Sequence, residues 1–166
     1  MVRSEQQSMV ALAQGNDMGD AKIRRILVPT DFSDAAGEAV QAAVVLARAF
    51  DAGIELLHVT ATVALLPPPV DLVPLSVLMP DLSKQVRERL TEECKRVQAA
   101  GIPCETNSRE GSPHTEIVER AQEMGADLIV MGTHGHGGVA HAVLGSVTER
   151  VLHKSRCPVL VVPLSR

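Results

Sequence analysis

Glycines, hydroxyls and histidines gather late in the chain. They run Gly132-Thr133-His134-Gly135, then nine residues, then Gly145-Ser146-Val147-Thr148. Glycines placed directly after a strand let the backbone approach a ligand closely, with N–H groups turned toward it. Gly145-Ser146 then opens a helix, whose free N–H groups and dipole favour an anion. Ser146 and Thr148 add hydroxyl donors. Together these parts make a phosphate cradle without a lysine. The simpler alternative is a glycine-rich turn that only closes a βα unit, and the spacing at the expected end of a sheet counts against it.

Other phosphate motifs fit less well. No G-x-x-x-x-G-K-[ST] is present. Gly135 to Ala140 matches a loose G-x-G-x-x-A dinucleotide pattern, but it follows the fourth strand and does not lead straight into a helix. The strand after it carries no acid at its end for a ribose. His134, His136 and His141 invite a zinc reading, which the lack of nearby Cys or carboxylate ligands disfavours. Facing phosphates, His136 and His141 would instead supply a charge that depends on pH. His58 reads as a hydrogen-bonded structural histidine inside a strand, and His114 and His153 as exposed helix residues.

The elements that must position this loop alternate in type. Residues 24–29 (RRILVP) form a short apolar strand, followed by turn chemistry at Thr30-Asp31-Phe32-Ser33. Ser33 is a fitting N-cap for a helix from Asp34 to about Asp51. Residues 54–59 (IELLHV) give a second strand. A charged amphipathic helix starting at Asp81 or Ser83 carries Val86, Leu90, Cys94 and Val97 at helical spacing and stops at Gly101. A polar third strand over 102–108 suits a sheet edge, and Ser112-Pro113 caps the next helix, which ends at Gly125. Residues 127–131 (DLIVM), a helix over 145–154 and the strand 158–162 (PVLVV) complete the pattern.

Such alternation implies an α/β fold: one doubly wound, five-stranded parallel sheet with helices on both faces. In these sheets ligands sit beyond the carboxyl ends of strands, where strand order reverses. A flavodoxin-like order 2-1-3-4-5 would pair residue 31 with residues 109–112. The glycines follow strand 4 instead, which favours the order 3-2-1-4-5 and a site joining 29–33 to 132–146.

Composition narrows the partners. The 166 residues are 45% hydrophobic and 22% charged with a net charge of −4, so no basic excess exists to neutralise nucleic acid. Phe32 and Phe50 are the only aromatic residues, which removes stacking platforms for single strands. Cys94, Cys104 and Cys157 form neither an even disulfide framework nor a metal-spaced cluster, and fit packed thiols in a reducing compartment. The apolar run 63–80 holds prolines at 67, 68, 69, 74 and 80, too many for a membrane helix. Residues 1–21 lack an apolar signal core and read as a flexible N-terminal tail ahead of a nucleotide-binding domain over 22–166. The expected location is cytoplasmic, with no membrane and no nucleic acid partner.

Four segments carry a resemblance. Val28-Pro29-Thr30-Asp31-Phe32-Ser33, Leu57-His58-Val59, the G-2x-G-9x-G-[ST] element from Gly132 to Ser146, and Ser155-x-Cys157-Pro158 through Val162 resemble the universal stress protein family, over about residues 22–164. The glycine element resembles that of the family's ATP-binding branch. The resemblance implies ATP, with or without Mg2+, at the strand 1–strand 4 switch point. Pro29, Thr30 and Asp31 would contact adenine and ribose, and the backbone of Val59 the base. Met131 and Gly132 would line the ribose, and Gly135, Gly145, Ser146, Val147 and Thr148 would hold the phosphates. Asp31 also reads as a plain turn former. His136 stands where related sequences commonly carry Arg or Lys. The function implied is a stress-response regulatory module, with a slow ATPase or nucleotidyl transferase as the alternative. Catalysis would want a cationic clamp, a positioned base and metal-binding carboxylates, which the loop does not offer. A homodimer through the 158–162 edge strand is expected from its apolar, charge-free edge and from the resemblance.

Overall fold

The computed structural model describes residues 22–61, 80–133 and 144–164. The expected tail over 1–21, nearly all of the apolar 63–80 run, and Gly135, His136 and the other residues of 134–143 lie outside these. The chain runs β1 (Arg25–Pro29), α1 (Asp34–Phe50), β2 (Gly53–Ala61), α2 (Pro80–Ala99), β3 (Cys104–Gly111), α3 (Pro113–Met124), β4 (Leu128–Gly132), α4 (Ser146–Lys154) and β5 (Val159–Val162). The strands form one parallel sheet in the order β3-β2-β1-β4-β5. This is the order that the placement of the glycines requires.

Strand side chains alternate between two cores. Ile26, Val28, Ile54, Leu56 and Val130 pack with Ala39, Ala43 and Ala47 of α1 and with Leu90 and Val97 of α2. Leu27, Leu57, Ile129 and Met131 pack with Ile117 and Ala121 of α3 and with Val151 of α4. Helices cover both faces. Burial on both sides removes any reason for polar alternation, which is why β1 and β4 read as unbroken apolar runs. With almost no aromatic residues to fill space, α1 offers a row of alanines and approaches the sheet closely.

One charge interrupts the second core. Glu55 of β2 is only 4% exposed. Arg120 of α3 donates to both of its carboxylate oxygens, Nε and Nη2 each at 2.6 Å. Such two-pronged pairing is the geometry that offsets the desolvation of a buried ion. Arg120 also reaches Glu123 at 3.4 Å, and Arg109 of β3 pairs with Glu123 and, at 3.5 Å, with Glu116. The Arg109 guanidinium, with help from Arg120, holds the Glu123 carboxyl below its ordinary pKa. The network ties α3 to β2 and β3.

β3 is the polar edge strand anticipated, but it runs on to Gly111 because β2 continues to Ala61 and pairs with it residue for residue. The three cysteines are free thiols, and burial pushes Cys104 and Cys157 above the usual thiol pKa. No helix among the described residues is long and apolar enough to cross a membrane.

Candidate functional site

The carboxyl ends of β1, β2 and β4 bring most of the expected residues to one edge of the sheet. Pro29 pairs in register with Leu57, and the Thr30 N–H donates to the Leu57 carbonyl at 2.8 Å. The pairing of Ile26 with Leu128, carried along the strands, sets Pro29 and Thr30 opposite Met131 and Gly132. Val59 lies two residues past Leu57 on β2 and is half-buried. β1 and β4 adjoin where the order of winding reverses, which is the site predicted by the topology.

The turn from β1 to α1 is dense with hydrogen bonds. Thr30 is 5% exposed, and its Oγ1 accepts from the Phe32 N–H at 3.1 Å. The Thr30 carbonyl bonds His58 Nδ1 at 2.9 Å, so His58 is hydrogen-bonded as its strand position suggested. Asp31 Oδ1 accepts from the Ser33 N–H at 3.1 Å and from the Ser33 hydroxyl at 2.6 Å. Ser33 Oγ in turn accepts from the Ala36 N–H and caps α1. Asp31 therefore does shape the turn, as its residue type suggested. Phe32 sits at φ 64°, a left-handed conformation that bulky side chains rarely take.

The connection from β4 to α4 is closed at its base. The Gly145 N–H donates to the Thr133 carbonyl at 2.8 Å, and the Thr133 N–H to the Val162 carbonyl at 3.1 Å. α4 thus begins beside the end of β4, with Ser146, Val147 and Thr148 in its first turn, where backbone N–H groups have no intrahelical acceptor. Two residues of this side are engaged within the protein. The Thr148 hydroxyl, 3% exposed, donates to the Gly132 carbonyl at 2.9 Å. Gly132 lies against α1 so closely that a Cβ would stand 2.7 Å from the Ala35 carbonyl oxygen. Gly135 and His136 lie outside the described residues, as do His134 and His141. Among the described residues no group of His, Cys, Asp and Glu is arranged to hold a metal.

Sequence reasoning passed over the side chains of α2 that reach this edge. Glu93 lies near Thr30, and its Oε2 is buried with no hydrogen-bond partner among the described residues. Burial raises the Glu93 carboxyl above its ordinary pKa, against the opposing pull of Arg96, Arg89 and Thr30. Arg89 lies over the Phe32 ring. These residues line a cleft of about 760 Å³ between α1 and α2. In the sequence Arg89 and Glu93 belong to a charged helix face, and nothing local marks them.

Residues 22–163 match the family model of the universal stress proteins. The chain belongs to the universal stress protein family. The universal stress protein MJ0531 of Methanocaldococcus jannaschii is 37% identical over 144 residues, covering 87% of this chain and 84% of the relative. The solved structure of protein MJ0577 from the same organism superposes with a TM-score of 0.73 at 32% identity, covering 87% of this chain and 99% of that one. A universal stress protein solved in complex with cAMP gives a TM-score of 0.64 at 29% identity, covering 87% and 99%. This universal stress protein shares with those relatives nearly all of its described fold.

Proposed function

We propose that this universal stress protein is an ATP-binding regulatory module, with the nucleotide at the β1–β4 switch point and the protein acting in the cytoplasm. The observation that carries the reading is the closure of the glycine connection. Its base is drawn together by the Gly145–Thr133 hydrogen bond, so the start of α4 lies beside the ends of β1 and β4. A helix N-terminus favours phosphate, and a crevice at the switch point takes the rest of a nucleotide. The cAMP complex of a family member adds support from outside the chain. In this reading Pro29, Thr30 and Asp31 meet adenine and ribose, Val59 the base, and Met131 and Gly132 the ribose side. Gly135, His136, Gly145, Ser146, Val147 and Thr148 face the phosphates. Thr148 would act through its backbone N–H, its hydroxyl being engaged by Gly132. Mg2+ would ride on the phosphates.

The test uses the absence of Trp and Tyr, which leaves the protein almost transparent at 280 nm. Purified protein is denatured and the supernatant chromatographed at 260 nm. ATP in stoichiometric amount supports a binder. ADP or AMP would point to turnover, and an empty supernatant with no calorimetric ATP affinity would reject the reading. The same reading includes a two-fold homodimer in which the β5 edges pair antiparallel. β5 ends the sheet and presents Leu160 and Val162 half-buried. Light scattering that returns a monomer at micromolar concentration would reject that assembly.

A further inference from the structure

The turn between β1 and α1 is gripped from outside by a residue that no part of the nucleotide reading uses. Phe32 occupies the left-handed region at φ 64°, which an aromatic L-residue enters only when its surroundings hold it there. Its ring stacks on the His58 imidazole, with centroids 4.9 Å apart and planes 18° apart. The Arg89 guanidinium carbon lies 4.3 Å from the ring centroid, a cation–π contact supplied by α2. Thr30 Oγ1 accepts from the Phe32 N–H. The turn is therefore held by its ring, between Arg89 of α2 and His58 of β2, while the Thr30 hydroxyl oxygen anchors its strained amide.

We propose that Arg89 is a positioning residue that keeps the Thr30–Phe32 turn in its ligand-ready shape, so that helix α2 tunes the nucleotide site without touching nucleotide. The turn's shape is a property of the free protein. Only its effect on affinity rests on the ATP reading, and the two can be tested apart.

The first arm needs no nucleotide. The three-bond HN–Hα coupling and amide shift of Phe32 report its φ in the free protein by NMR. Arg89→Ala should move both toward values averaged with ordinary negative φ. Arg89→Lys, which keeps a cation for the Phe32 ring, should stay closer to the wild-type values. Unchanged Phe32 signals in Arg89→Ala would overturn the proposal, whatever the protein binds.

The second arm is ATP affinity by calorimetry. If the held turn falls to roughly a tenth of the population, apparent affinity drops about tenfold. Glycine reaches positive φ without strain, so a Phe32→Gly background has no need of the ring grip. There Arg89→Ala should weaken ATP by no more than about twofold, the scatter expected of sites that no longer interact. An equal tenfold loss in both backgrounds would mean that Arg89 acts directly on ATP or on the fold at large, and would overturn the positioning role. If Phe32 responds as expected but ATP binds neither wild type nor variants, the clamp stands and the nucleotide reading falls.

Discussion

The β1–α1 turn and the β4–α4 connection lie side by side at the switch point and are secured by opposite means. The first is held by side chains: Thr30 accepts from the Phe32 N–H, Asp31 from the Ser33 N–H and hydroxyl, and Phe32 is wedged between His58 and Arg89. The second has one side-chain bond, from the Thr148 hydroxyl to the Gly132 carbonyl, and depends otherwise on glycines that carry no side chain. Gly132 leaves room for the Ala35 carbonyl of α1, and Gly145 bonds through its backbone alone. A side-chain-held turn fails by deletion, a glycine-held one by addition. Each kind of damage should therefore separate the two halves of the site.

The largest expected effect is on binding. Gly145 has φ −64° and ψ 145°, a backbone conformation open to any residue, so Gly145→Val should leave a cooperative fold. Its branched side chain would stand where phosphates are proposed to lie. We expect ATP affinity by calorimetry to fall at least a hundredfold, about 2.7 kcal/mol. Wild-type affinity in this variant would remove the phosphate side of the proposal. Gly132→Ala shifts the damage from binding to stability. Its Cβ would meet backbone rather than a flexible side chain. Overpacking of this kind costs about 2 kcal/mol, or roughly 4–8 °C in melting temperature for a chain of this size. An unchanged melt would show that α1 can move away from β4 freely.

On the other side of the comparison, deletion should cost less. Ser33→Ala removes the acceptor for Ala36 N–H and a donor to Asp31. A lost N-cap costs about 1 kcal/mol, readable by urea denaturation. No loss would mean that Asp31 or water replaces the cap at once.

The smallest effect is a stability difference that depends on pH. Burial raises the Glu93 pKa, so its ionised form is penalised in the folded state relative to the unfolded chain. The stabilisation from a raised pKa is fully present below the unfolded value near 4.5 and is lost as pH rises through the folded value. Arg89 and Arg96 on its own helix and the Thr30 hydroxyl across from it moderate the penalty without reversing it. Glu93→Gln should therefore melt slightly higher than wild type at pH 7–8, with the gap closing as pH approaches 4. A gap that is flat with pH would show that the carboxyl is well solvated.

The strand order was legible because one cue, the glycines after strand 4, decides between two topologies. The Ser33 cap was legible for a local reason, the fit of a hydroxyl residue to a helix start. Ser112 met the same rule and departs from it: its hydroxyl pairs with His114 Nδ1 at 3.0 Å and makes no cap bond. β3 was drawn three residues short because its polar sequence has no periodicity to mark an end, and pairing with β2 sets it instead. Candidate residues clustered where motif and topology coincide, at Pro29, Thr30, Met131, Gly132 and Gly145. Arg89, Glu93 and the conformation of Phe32 were not legible. Their significance arises from contacts between α2 and the β1–α1 turn, and such contacts leave no spacing signal in a single sequence.

Glu55 offers a last consequence, one of orientation. Along β2 its neighbours Ile54 and Leu56 face α1 and α2, while Glu55 faces α3 and its Arg120. A strand pairs through its backbone, which is blind to side chains, and a slip of one residue turns every side chain to the opposite face. The slipped β2 would carry the carboxylate in among Ala43, Leu90 and Val97, far from its guanidinium, and leave Arg120 with its longer contact to Glu123. In a core built almost wholly of interchangeable aliphatic groups, that single charge works as a parity mark. It distinguishes the correct strand phase from its mirror, where hydrophobicity alone would accept both.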